Sequence, residues 1–102
     1  MKHHSDAQKE ALKKAAGSLY RAFLAMREPE EVRSLLIDLC TPAELEAIVD
    51  RWWAACLLEK GMSYREISDA TGVSVTTIGR VARFMEMGEG GYRLAISRGA
   101  AL

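Results

Sequence analysis

Residues 74 to 85, SVTTIGRVARFM, carry two arginines and no acid. Arginine's planar fork donates in pairs to phosphate oxygens or to a guanine edge. Short side chains bearing hydroxyl or methyl groups can approach base edges closely, thymine methyls included. Ser74, Val75, Thr76, Thr77, Gly79, Arg80 and Arg83 together therefore form a set suited to reading a nucleic-acid groove, provided one exposed face presents them. Tyr64 and Arg65 lie just upstream, where Arg65 could meet phosphate or a guanine edge. Other chemistry finds little support. Glu44, Glu46 and Asp50 fall on one helical segment without a nucleophile and base partner, so no enzyme is expected. His3 and His4 lack a third ligand nearby, and Cys40 and Cys56 lack metal-ligand spacing. No metal, cofactor or disulfide is expected.

The groove-reading set needs a scaffold, and its flanks supply one. Ser63 and Glu66 have the spacing of a capping box, which opens a short helix from Tyr64 to Ala70 with Ile67 and Ala70 inward. Thr71, Gly72 and Val73 then make a turn in which glycine supplies the positive φ and valine plugs the angle. Ser74 caps the next helix, whose inward residues are Ile78 and Val81. Residues 63 to 83 thus predict a helix-turn-helix.

Upstream, Thr41, Pro42 and Glu44 complete a capping box with proline in the first helical position, giving the firmest boundary in the chain. Leu45, Ile48, Val49, Trp52, Cys56 and Leu57 follow at helical spacing, and Gly61 closes that helix. Pro29, Glu30 and Glu31 start an earlier helix ending near Cys40, with Val32, Leu35, Leu36 and Leu39 as its apolar face. Residues 5 to 26 form a long amphipathic helix striped by Leu12, Ala16, Leu19, Phe23 and Met26. After Met85 and Met87 come Gly88, Gly90 and Gly91, a hinge beyond which Tyr92, Leu94 and Ile96 can dock a last short helix. The class is all-α, in one domain over residues 1–102: dimerisation helices at 5–60, the helix-turn-helix at 63–83 and a tail with a short helix at 88–102.

The 102 residues are 49% hydrophobic and 27% charged, as expected of a folded globular chain. No apolar run is long enough to cross a bilayer and no signal segment opens the chain, so a cytoplasmic location is expected. Fourteen basic residues balance 14 acidic ones, so any charge that meets nucleic acid must be local. The apolar stripe of the first helix and the adjacent Trp52 and Trp53 offer more apolar surface than one small domain covers, which points to a homodimer. Leu19, Phe23, Leu35, Leu36, Trp52 and Trp53 are its expected contacts.

Residues 41 to 83 also resemble the Trp-repressor superfamily, through Thr41-Pro42-x-Glu44-x-x-Ala47-x-x-x-Arg51, Gly61-Met62-Ser63-x-Arg65-Glu66-Ile67 and Gly72-Val73-Ser74-Val75-x-Thr77-Ile78-x-Arg80, without a gap. The tail, residues 88 to 94 with the sequence GEGGYRL, is similar to the branch called YerC/YecD. The resemblance implies a six-helix subunit in an intertwined homodimer that binds double-stranded DNA at a near-palindromic operator and regulates transcription, with repression as the expected direction. It also implies an effector pocket at Thr41, Arg51, Arg80, Val81 and Phe84. In the repressor, tryptophan lies between arginines matching Arg51 and Arg80. Val81 and Phe84 stand where the repressor has glycine and serine, and are expected to fill that pocket and exclude tryptophan as co-repressor. Any other small-molecule effector stays unspecified, and Arg51 and Arg80 are otherwise expected in a surface ion pair and a phosphate contact. The competing reading is a helical protein-interaction module that binds no DNA, which salt dependence of binding separates from the first.

Overall fold

The computed structural model of the chain describes residues 4–102, so His3 lies outside it. Six helices and no strand occur among the described residues, in two compact units, Met1–Cys40 and Thr41–Leu102.

The first unit holds α1 (Asp6–Ala25) and α2 (Pro29–Leu39). Ser5 caps α1: its hydroxyl accepts from the Gln8 N–H, and its own N–H donates to the Gln8 side chain at 2.7 Å. Pro29 occupies the first turn of α2, where its missing N–H is harmless. The Glu31 carboxylate reaches back to accept from the backbone N–H groups of Arg27, at 2.6 Å, and Glu28, at 3.3 Å. Neither helix has a buried residue. Phe23, Leu35 and Leu36 are half-buried, while Leu12, Leu19, Tyr20 and Leu24 are exposed.

The second unit holds α3 (Pro42–Glu59), α4 (Tyr64–Thr71), α5 (Val75–Met87) and α6 (Gly91–Ser97). Its core is Ala54 and Ala55 of α3, Ile67 of α4, Val73 of the turn, and Ile78, Val81 and Met85 of α5. Leu57, Leu58, Met62, Tyr92 and Ile96 pack around them. Two small residues at the centre of α3 let α4 and α5 come close, as dense packing requires. The buried arc of α3 therefore differs from the expected stripe. Ile48 and Val49 are exposed, and Ala54 and Ala55, which the stripe omitted, are fully buried. Ala70 is likewise exposed, leaving Ile67 as the one buried residue of α4. Trp52 and Trp53 are both half-buried, and the Trp52 ring stacks on Tyr92 of α6 with centroids 6.4 Å apart.

Candidate nucleic-acid interface

The α4–turn–α5 unit is fixed by local hydrogen bonds that follow from its residue types. Ser63 and Glu66 complete the capping box of α4, with bonds of 2.9 and 3.1 Å. Hydrogen bonding from the Ser63 backbone N–H, and secondarily from its hydroxyl, holds the Glu66 carboxyl below its ordinary value of 4.5, and Thr41 does the same for Glu44. α4 runs one residue past the expected Ala70 because the Thr71 hydroxyl donates to the Ile67 carbonyl and accepts from the Val73 N–H. Gly72 then turns the chain at φ 77°. A side chain there would meet a left-handed backbone, so glycine is required. Val73, 6% exposed, wedges between the helices.

On α5, Ile78 and Val81 are buried as their spacing predicts, and Met85 joins them. Val75, Thr76, Arg80 and Arg83 are exposed and Gly79 is half-buried, so the five residues lie along the side opposite the core. At 100° per residue they span roughly 140° of the helix circumference. Tyr64 of α4 leans over this stripe, and the six residues enclose an open hollow of about 360 Å³. Arg65 is exposed at the first turn of α4, outside that hollow. Ser74 and Thr77 are drawn into capping. The Ser74 hydroxyl accepts from the Thr77 N–H and donates to the Thr77 hydroxyl at 3.0 Å.

Beside the exposed stripe of α5 lies a second, larger cleft. Arg51, Arg80, Val81, Phe84, Gly88, Glu89, Gly91 and Tyr92 line an open space of about 510 Å³. Four of the five expected pocket residues meet here, whereas Thr41 stays at the start of α3 as its cap and is absent from the lining. Val81 and Phe84 do not fill the space. Val81 is 1% exposed, its side chain absorbed by the core, and Phe84 is turned so that the Arg80 guanidinium lies 5.2 Å from its ring centroid. The expected ion pair is corrected by the same geometry. The ion pairs among the described residues are Lys13 with Glu10 and Arg93 with Glu86, and Arg80 rests on an aromatic face instead.

Spacing alone missed the wall contributed by α6. Gly88 ends α5, where a Cβ would lie 2.5 Å from the Phe84 carbonyl oxygen, so a larger residue could not make the same exit. Arg93 then ties α6 back, its Nε donating to the Met85 carbonyl at 2.8 Å and its guanidinium pairing with Glu86. These links bring Tyr92 to the cleft. The glycine-rich segment was legible as a connector, but nothing in its pattern gave the direction of return. Among the described residues, no group of three or more His, Cys, Asp or Glu gathers as a metal site, and no helix is long and apolar enough to cross a membrane.

The family model for the Trp repressor protein matches residues 14–100. The chain is 33% identical over 85 residues to the uncharacterised protein YerC of Bacillus subtilis (strain 168), a match spanning 83% of this chain and 82% of that protein. A crystal structure of a TrpR-like protein from Eubacterium eligens superposes with a TM-score of 0.78 at 30% identity, covering 87% of this chain and 93% of the other. A Trp repressor candidate from Staphylococcus aureus gives 0.79 at 30% identity, covering 83% and 85%.

Proposed function

The chain belongs to the Trp repressor family, and on that premise we propose that it is a transcriptional regulator that binds double-stranded DNA through α5. The observation that carries this reading is the exposed stripe of Val75, Thr76, Gly79, Arg80 and Arg83, free of acid and opposite a rigid core. Arg65, Arg80 and Arg83 hold phosphates while the smaller side chains approach base edges. Tyr64, Ser74 and Thr77 support the helix entry.

The regulator acts in the cytoplasm as a homodimer, repressing transcription from a near-palindromic operator with half-sites about one helical turn apart. Supporting the dimer are two N-terminal helices without a buried residue and the exposed apolar residues Ile48 and Val49 of α3. Leu19, Phe23, Leu35, Leu36, Trp52 and Trp53 are its proposed contacts. Tryptophan is not the co-repressor, because one face of the Arg80 guanidinium is already taken by the Phe84 ring. Any effector of the cleft is a different molecule.

The test is selection of bound fragments from sheared genomic DNA by the full-length protein, followed by binding to the recovered sites. A shared, nearly palindromic motif is expected, together with loss of retention in Arg83→Glu. Fragments without a common motif, retained equally by Arg83→Glu, would overturn the proposal.

A further inference from the structure

The hollow on the exposed face of α5 has a composition that narrows its occupant. Tyr64, Val75, Thr76 and Gly79 line it, bringing an aromatic ring, methyl groups and the Thr76 hydroxyl. Arg80 and Arg83 form the rim, and no acid lines it. Tyr64 is 42% and Val75 52% exposed, so neither is consumed by the core. Gly79 puts no side chain into this space: a Cβ added there would lie on its Tyr64 side, in ordinary contact 3.6 Å from Cε2. The result is an apolar recess with a cationic rim on the face proposed to meet DNA.

We propose that this recess is a thymine-methyl slot, resting on the DNA-binding reading and adding the base that the site selects. The rim fits an anionic polymer, whereas the interior offers an aromatic edge and methyl groups with one hydroxyl. In the major groove thymine alone presents a methyl group, while cytosine presents an amino donor and purines present N7. An apolar recess gains from burying the methyl and would leave the other groups poorly solvated. Gly79 is a specificity-determining residue by its lack of a side chain, and Tyr64 by the wall it provides.

The experiment uses the full-length protein and duplexes selected from a random pool. Each thymine of a half-site is replaced, symmetrically in both halves, by deoxyuridine, which differs only by the 5-methyl group. At one position per half-site the symmetric replacement is expected to lose about fifteenfold in affinity, about fourfold for each of the two methyls removed, the transfer value of one buried methyl-sized group. Gly79→Ala meets only an ordinary contact at Tyr64 and improves helix propensity, so its thermal unfolding midpoint should not fall. Its added methyl occupies the slot. Affinity for the thymine duplex should drop toward that for the deoxyuridine duplex, and Tyr64→Ala should erode the same difference. The slot is refuted if no thymine position responds to deoxyuridine, or if the response survives in Gly79→Ala, with salt-sensitive binding of the selected duplex intact. Absence of salt-sensitive binding to any duplex would overturn the slot and the DNA-binding reading together.

Discussion

Arg80 faces two ways. It lines both the hollow on the exposed stripe of α5 and the neighbouring cleft, and its guanidinium lies against Phe84, four residues along the same helix. A side chain shared by two sites couples them, since whatever moves the guanidinium on one side changes what the other presents. The spacing of four places Arg80 and Phe84 as neighbours on a helix surface, so their contact was legible in principle. Sequence reasoning nevertheless left Arg51 and Arg80 to a surface ion pair and a phosphate contact and gave Phe84 a space-filling role. Rotamer choice decides between those outcomes, and residue types alone do not encode it. The pairing makes a prediction. Titration calorimetry with L-tryptophan up to the millimolar range should give no saturable heat, whereas Phe84→Ser, which frees the Arg80 face, is the variant in which weak binding should emerge. Saturable tryptophan binding by the wild type would show that the cleft accepts the indole despite Phe84.

At the level of elements, the boundaries that could be read in advance were those written within a few residues. Thr41, Ser63 and Ser74 cap helices and Pro29 and Pro42 both stand in first turns, as their types and spacing predict, and Ser5, not singled out from the sequence, caps α1 by the same local bonds. Capping is local, so residue type and spacing suffice. Which side of α3 is buried was less legible. Apolar residues occupy more than one face of that helix, and the close approach of α4 and α5 selects the small pair Ala54 and Ala55 over Ile48 and Val49. The caps also set a pH dependence. Glu44 and Glu66 are both held below 4.5 by hydrogen bonds from backbone and hydroxyl at Thr41 and Ser63. A carboxyl depressed on folding adds stability that is fully present above its unfolded value of 4.5 and disappears as pH falls through the lower folded value. Urea midpoints should therefore fall as pH drops below 4.5, and the double variant Glu44→Gln, Glu66→Gln should show a shallower acid limb. Identical acid limbs in variant and wild type would remove the caps as its cause.

For the whole molecule, the balance of 14 basic and 14 acidic residues matters more than any single charge. A neutral protein gains little long-range attraction to DNA, so under the proposed function affinity must come from arginines concentrated on one surface and used twice in the proposed dimer. The dimer itself is expected to depend on the N-terminal helices. Leu19→Asp with Phe23→Asp should shift sedimentation from dimer to monomer and remove operator binding, while α4 and α5 keep their own core. A dimer that persists unchanged would place the interface elsewhere. The central claim, that α5 meets the phosphate-lined groove in two copies, is tested most directly by the salt dependence of binding to a selected duplex. With Arg65, Arg80 and Arg83 each on a phosphate in both subunits, log K should fall against log salt with a slope of about −5, or roughly a thousandfold between 50 and 200 mM. A slope near zero would contradict the account and leave the helix-turn-helix as a protein-docking surface.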